Sequence, residues 1–230
     1  MTAPVSVVIP TLQAAHRVGP CLGRLTEGVV EGLIREVVIA DGGSEDGIVR
    51  VADEVGARLV IAERGRGRQL ATGARTASGQ WLLFLHADTE LSPGWGSAVR
   101  RHIAECPERA GYFRLKFDSP KTMARVTEAW ANLRSRLFAL PYGDQGLLIS
   151  RAVYEAAGGF PEQALMEDVA LVRRLGRARL APLDAVALTS AERYEREGWM
   201  LRGARNILLV ARYLAGADPD HLARRYNRRR

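Results

Sequence analysis

The chain has 230 residues, of which 47% are hydrophobic and 26% charged, and its formal net charge is +7. This length and balance suit one folded domain with a buried core, and they exclude a low-complexity or fibrous protein. The two cysteines, Cys21 and Cys106, lack metal-site spacing and indicate free thiols in a reducing compartment. The sequence shows no basic leader, no signal run and no apolar stretch that could cross a bilayer, so we expect a cytoplasmic protein.

Positive charge is concentrated at the C-terminus. The last seven residues include Arg224, Arg225, Arg228, Arg229 and Arg230. Such a tail is usually solvated, or it contacts phosphate-rich partners. Because no base-reading motif accompanies it, we expect no nucleic-acid partner.

The first ninety residues alternate short apolar strands with helical stretches. The predicted strands are Val5 to Ile9, Glu36 to Ala40, Ala57 to Ile61 and Trp81 to Leu85. Short connections between strands and helices are typical of parallel sheets covered on both faces. The sequence therefore predicts an α/β fold with a Rossmann-like, mostly parallel central sheet flanked by helices.

The alternation loosens after Asp88. We predict helices from about Pro93 to Ala104, Thr122 to Leu140, Arg151 onward and Val169 to Leu175, and strands at Tyr112 to Phe117, Leu147 to Ser150 and Val186 to Thr189. A long helix follows from about Glu192 to Leu214. Neither a repeat nor a linker is visible, so we predict one domain over residues 1–230.

Polar residues follow each of the first four predicted strands. They are Pro10 and Thr11, Asp41, the Arg64–Arg68 loop, and His86 with Asp88. The carboxyl edge of an open α/β sheet is where ligands bind, so this pattern indicates a nucleotide site. A structural alternative is that Asp88 serves only its own turn. Because the chain has no glycine-rich dinucleotide fingerprint and no P-loop, we expect Mg²⁺ or Mn²⁺ on Asp88 to hold the phosphates.

Five ordered motifs resemble those of the family 2 glycosyltransferases over roughly residues 5–190. They are Ser6–Thr11, Ala40–Gly47, Phe84–Asp88, Gly158–Phe160 and Met166–Val169. The His-Ala-Asp motif, Gly143-Asp144-Gln145 and the basic C-terminal helix look most like a small bacterial subgroup described as radical-SAM/selenodomain-associated transferases. The resemblance implies a GT-A fold. It also implies inverting transfer of a sugar from a nucleotide diphosphate donor, with uridine as the expected base, to an unknown acceptor that could be lipid-linked.

The resemblance also implies roles for individual residues. The donor site would contain Pro10, Thr11, Asp41, Arg68, His86, Ala87 and Asp88. Asp88 would carry the Mn²⁺ or Mg²⁺, and Asp168 would be the general base. Asp144, Gln145 and Glu167 would lie near the acceptor or the diphosphate. The nucleotide-binding half would then cover about residues 1–90, and the acceptor half would cover about residues 91–190. A basic helical segment would cover about residues 191–230.

The sequence departs from the family pattern at two positions. His86 stands where the family has the first carboxylate of Asp-x-Asp, and Gly42 replaces a second aspartate after Asp41. Glu167 and Asp168 could also be helix caps, since acids commonly begin helices. For Asp144, a purely structural role as a turn residue is as good an interpretation as a contact with the acceptor or diphosphate.

Two other functions stay open at this point. One is nucleotidyl transfer on a related sheet, and the other is a non-catalytic module that binds nucleotide sugars or a membrane surface. The helix from Glu192 to Leu214 could pack on the domain, or it could lie on anionic membrane at the inner face. We expect Asp46 to cap a helix, His102 to be exposed, and Trp130 to lie in the core or an interface.

Overall fold

The computed structural model describes residues 3–227, with side chains described as far as Arg224. The part of the basic tail formed by Arg228, Arg229 and Arg230 lies outside these residues. None of the helices in the described part of the chain is long and apolar enough to span a membrane.

The described residues form one eight-stranded sheet in the order β3-β2-β1-β4-β7-β6-β8-β5. The strands are β1 Val5–Thr11, β2 Ile34–Asp41, β3 Arg58–Ile61, β4 Trp81–Phe84, β5 Thr89–Leu91, β6 Ala110–Phe117, β7 Leu147–Ser150 and β8 Leu180–Thr189. Strand β1 pairs in parallel with β2 and β4, β2 with β3, and β6 with β8, whereas β7 and β5 pair antiparallel to their neighbours. The predicted mostly parallel α/β sheet is confirmed.

Ten α-helices flank this sheet in the described residues. They are α1 Ala15–Val30, α2 Ile48–Glu54, α3 Arg66–Thr76, α4 Trp95–Glu105, α5 Thr122–Phe138, α6 Arg151–Ala156, α7 Glu167–Leu175, α8 Glu192–Glu197, α9 Trp199–Leu214 and α10 Pro219–Asn227. The predicted long C-terminal helix is divided at Gly198, whose φ of +84° breaks the helical conformation.

Alternating side chains of the strands build two cores, one on each face of the sheet. On β1, Val5, Val7 and Ile9 face a cluster that includes α1, α2 and α4, whereas Val8 faces a cluster that includes α3, α6 and α7. Because both faces are covered, each central strand contains a continuous apolar run, at Val7–Ile9, Val37–Ala40 and Trp81–Phe84, as the sequence pattern predicted. The carboxyl ends of β1, β2 and β4 remain at one edge.

Two local expectations are wrong, and one strand was not predicted. Asp46 does not cap α2, since Gly47 takes the N-cap position; the Asp46 Oδ2 instead accepts from the backbone N of Ala15 at 2.8 Å. His102 is buried and its Nε2 lies 2.8 Å from the carbonyl oxygen of Arg109. Strand β5 was not predicted, because a three-residue strand has no readable pattern and forms only by pairing with β8.

Helix α5 is turned opposite to what its pattern suggests. It buries the small or polar Ala124, Ala131 and Ser135 against the domain. Its large apolar residues face outward, and Trp130 is 44% exposed. Trp130 is therefore not a core residue.

Candidate functional site

Thr11 and Asp41 lie side by side at the ends of the parallel strands β1 and β2, and Pro10 pairs with Ala40 one step earlier. The Asp41 carboxylate accepts from Thr11 Oγ1 at 2.7 Å, from the N and Oγ of Ser44 and from the N of Gly43. Burial disfavours ionisation of Asp41, but these hydrogen bonds outweigh it and hold the pKa of Asp41 below its usual value. Asp41 thus orders the loop that follows β2.

Gln69 ties the start of α3 to the same strand ends. Its Nε2 donates to the carbonyl oxygens of Thr11, at 2.6 Å, and Ala40, at 3.0 Å. The side chain is buried. Sequence reasoning missed Gln69, since a single amide within a helical stretch belongs to no recognisable motif.

A pocket opens beside β4. Its lining includes His86, Tyr142, Gly143, Glu167 and Asp168 among apolar residues. The N of Gly143 donates to Oδ2 of Asp168 at 2.7 Å. A Cβ on Gly143 would lie 2.7 Å from Nε2 of His86, so a larger residue here would have to displace the imidazole. His86 and Asp168, distant in sequence, are therefore neighbours across Gly143.

His86 is a neutral imidazole in this setting. Burial and the positive charges of Arg66 and Arg193 lower its pKa to about 3, although Asp168 opposes them. A neutral imidazole can accept a hydrogen bond or bind a metal through one ring nitrogen. His86 therefore brings no charge of its own to the pocket.

Asp144 follows the pocket residue Gly143 in the 3₁₀ turn Gly143–Gln145. Burial raises its pKa to about 6; Arg134 opposes the shift, and Asp168 and Asp88 add to it. Its Oδ1 has no hydrogen-bond partner among the described residues. Asp144 is therefore a desolvated carboxyl that titrates near neutrality.

Gln145 holds the turn rather than facing open space. The side chain is fully buried. Its Nε2 donates to the carbonyl oxygen of Phe113 at 3.0 Å, and its Oε1 accepts from Ser135 Oγ at 2.6 Å. The predicted contact of Gln145 with an acceptor or diphosphate stays a prediction.

Glu167 and Arg66 form an ion pair at the floor of the site. Glu167 is fully buried, and Arg66 Nη2 also lies 3.8 Å from Oδ2 of Asp168. Burial raises the pKa of Glu167, and the Arg66 charge opposes that shift. Met166, the residue before Glu167, has a φ of +64°. Such a backbone conformation is rare for a residue with a side chain, and it is typical of functional sites.

Close packing brings Arg66 to Glu167. Gly67, next to Arg66, lies so near the 161–163 segment that a Cβ there would clash with the carbonyl oxygen of Pro161. The sequence marked the Arg64–Arg68 loop but did not single out Arg66. It nominated Arg68, which pairs with Glu63 at the surface, and the predicted contact of Arg68 with the donor stays a prediction.

Asp88 lies two residues beyond the pocket residue His86. Its carbonyl oxygen accepts from the N of Ser190 at 3.3 Å, which places the start of the C-terminal segment beside it. Ala87 packs against the core on the α1 side. Within residues 3–227 no group of three or more His, Cys, Asp or Glu side chains could hold a metal by itself. Any metal on Asp88 would therefore need ligands beyond the described His, Cys, Asp and Glu side chains.

Solved structures define the class of fold. The chain is similar to S. aureus TarS in complex with UDP-GlcNAc, with a TM-score of 0.62 and 17% identity over 81% of this chain and 58% of that one. It is also similar to glucosyl-3-phosphoglycerate synthase from Mycobacterium tuberculosis in complex with Mn²⁺, UDP and glucosyl-3-phosphoglycerate, with a TM-score of 0.59 and 19% identity over 82% of this chain and 70% of that one. The fold is of the GT-A type, as the motifs implied.

The family follows from the sequence match. A family model described as glycosyl transferase family 2 matches residues 6–146, and the chain belongs to that family. A curated relative from Mycobacterium tuberculosis, the "PGL/p-HBAD biosynthesis glycosyltransferase", is 35% identical over 99 residues, which cover 40% of this chain and 38% of the relative. The match thus spans well under half the length of that relative.

Proposed function

We propose that this chain transfers a sugar from a nucleotide diphosphate sugar to a hydroxyl acceptor, with inversion at the anomeric carbon. The observation that carries the proposal is the convergence of His86, Gly143 and Asp168 on one pocket, with Asp88 two residues beyond His86. Family membership and solved neighbours that bind UDP or UDP-GlcNAc support a uridine diphosphate donor. In this proposal the subgroup is the radical-SAM/selenodomain-associated one, and the acceptor is unassigned.

Asp168 is the general base of the proposed reaction. Its oxygens accept from the backbone N of Gly143 and of Val169, which fixes the carboxylate and leaves each oxygen a second lone pair. The acceptor hydroxyl gives its proton to Asp168, and its oxygen forms a bond to the anomeric carbon. The bond from that carbon to the diphosphate oxygen breaks, and the diphosphate leaves with the electron pair. A positioned base contributes about 10²–10⁴-fold in rate.

The residues present fit a divalent cation. The Asp88 carboxylate is partly exposed and makes no hydrogen bond or ion pair with the rest of the described chain, and Asp144 Oδ1 is also unpartnered there. One carboxylate plus phosphate oxygens is a donor set that Mg²⁺ and Mn²⁺ accept. Asp88 would hold the cation, which when bound would offset the charge of the leaving diphosphate.

The donor side of the proposal uses the strand-end loops. Thr11 and Asp41 would line the nucleotide pocket, where Gln69 keeps the strand ends in place. Arg66, held by Glu167 and close to Asp168, would add positive charge near the diphosphate. The neutral His86 would adjoin the same group without adding charge.

The test uses donor hydrolysis, since water replaces the unassigned acceptor. The full chain is incubated with UDP- and GDP-sugars and Mn²⁺, and release of nucleoside diphosphate is measured. Asp168→Asn should reduce release at least about 100-fold. Its affinity for UDP with Mn²⁺, measured by calorimetry, should change less than about threefold. Asp184→Asn, at an exposed carboxylate outside the site, is the matched control.

Three results would redirect the proposal. Loss of UDP affinity together with activity in Asp168→Asn would make Asp168 a structural residue. Release of pyrophosphate from nucleoside triphosphates, without turnover of any nucleotide sugar, would support nucleotidyl transfer. Tight donor binding without turnover would support the non-catalytic module.

A further inference from the structure

Helices α5 and α9 expose large apolar side chains along their outer sides. On α9 these are Met200, Leu201, Ile207, Leu208 and Leu214, with Met200 79% and Leu208 50% exposed. On α5 they are Val126, Trp130, Leu133, Leu137 and Phe138. We call these two sets together the apolar helix surface. Exposed apolar groups at this density usually mark an interaction site.

The exposed residues lie in stripes, which excludes a chance scatter. On α5, positions 126, 130, 133 and 137 recur at helical spacing and lie opposite the buried Ala124 and Ala131. On α9, the exposed Leu201 and Leu208 lie opposite the buried Val210, and the exposed Met200 and Ile207 lie opposite the buried Arg202. Each helix thus has one side packed on the domain and an apolar side left without a partner in the described chain.

The two helices adjoin each other and the pocket. They are in contact, and both reach Tyr142, which lines the pocket. Arg134 of α5 lies over the Tyr142 ring, with 3.2 Å from its guanidinium carbon to the ring centroid. Val210 of α9 belongs to the apolar cluster that Tyr142 packs against. Helices α5 and α9 therefore border the candidate active site through their packed sides.

The positive charge of the C-terminal segment indicates which kind of partner the apolar helix surface binds. Residues 198–230 contain eight arginines against two aspartates. On α9, Arg202 and Arg205 pair with Glu197, whereas Arg212 is exposed. Two copies of such a surface would bring like charges together, which disfavours self-association. A surface that combines arginines with tryptophan, leucine and phenylalanine suits an anionic lipid interface.

We propose that the apolar helix surface lies on an anionic lipid bilayer, with α5 and α9 in the plane of the interface. The apolar stripes enter the boundary between headgroups and acyl chains, and exposed arginines such as Arg212 contact the phosphates. This proposal does not depend on the proposed sugar transfer, because its test needs no donor and no acceptor.

The first test is flotation of the full chain with vesicles. We expect binding to phosphatidylglycerol vesicles and at least about tenfold weaker binding to phosphatidylcholine vesicles. The double variant Ile207→Gln/Leu208→Gln should weaken binding at least about tenfold. The control is Val30→Gln, at an exposed valine of α1 outside this surface, which should bind as the parent does. Circular dichroism checks that each variant is folded.

The second test uses Trp130 as a probe of depth. The other three tryptophans, Trp81, Trp95 and Trp199, are buried, so quenching by brominated lipids reports Trp130. Brominated phosphatidylglycerol vesicles should quench the parent, and Trp130→Phe should remove most of that quenching. Absence of vesicle binding, or binding unchanged in Ile207→Gln/Leu208→Gln, would overturn the proposal. So would a dimer in light scattering that the same double variant dissociates, since the surface would then join two copies.

Discussion

The backbone N of Gly143 lies 2.7 Å from Oδ2 of Asp168 and joins the 3₁₀ turn before β7 to the first turn of α7. This bond fixes the carboxylate proposed as the base. The same glycine leaves room for the imidazole of His86. The geometry of the site therefore depends on a residue that has no side chain of its own.

Gly143→Ala should disturb this arrangement. The added Cβ would lie 2.7 Å from Nε2 of His86 and 3.3 Å from Oδ2 of Asp168. We expect nucleoside diphosphate release to fall at least about tenfold, with a loss of about 1–3 kcal/mol in the free energy of unfolding. The control is Gly23→Ala in α1, where no atom lies within 4 Å of the new methyl group and helix propensity should add up to about 1 kcal/mol. Unchanged turnover in Gly143→Ala would contradict this account.

Arg66→Met should destabilise the fold. It would leave the buried carboxylate of Glu167 without its cation, and because Arg66 is partly exposed we expect a loss of about 2–4 kcal/mol in urea unfolding at pH 7.5. Arg75→Met, which breaks the solvent-exposed pair with Glu162, should cost under about 1 kcal/mol. The double variant Arg66→Met/Glu167→Met should recover most of the loss. Equal losses in the Arg66 and Arg75 variants would argue against a critical buried pair.

The imidazole of His86 should stay neutral from pH 8 to pH 5. Its pKa of about 3 lies below the ordinary 6.5, so the folded state resists protonation and this residue costs stability as the pH falls below 6.5. Nitrogen-15 NMR of labelled histidine, assigned with His86→Gln, should show no titration of His86 in that range. A midpoint near pH 6 would show that the imidazole is hydrated.

Asp144→Asn should stabilise the protein at high pH. The pKa of Asp144 is raised from 3.8 to about 6, so its contribution to stability is fully present below pH 3.8 and is lost as the pH rises through 6. Asparagine removes that loss, and we expect a gain of about 2–3 kcal/mol at pH 7.5 and almost none at pH 4. The measurement is urea unfolding at both pH values, with Asp184→Asn as an exposed control. A gain of equal size at the two pH values would mean that the carboxyl charge is not its cause.

Local pattern was a sufficient guide for the first half of the sheet. Strands β1 and β4 and the second half of β2 are covered on both faces, so each carries a continuous apolar run, and their ends are marked by Thr11, Asp41 and the His86–Asp88 segment. Parallel pairing then places those ends at one edge. The orientation of α5 could not be read in this way, because its larger apolar stripe faces outward and the choice of side depends on the space beside β6.

By itself the sequence determined the α/β class, the family and the residues at the strand ends, because apolar periodicity and short motifs are properties of neighbouring residues. The tertiary structure decided which of those residues meet. It joined Arg66 to Glu167 across 101 positions and Gly143 to Asp168 across 25, and it paired Arg68 with Glu63 at the surface. It also gave His86 and Asp144 their shifted pKa values, since desolvation is a property of the assembled fold and not of any one segment.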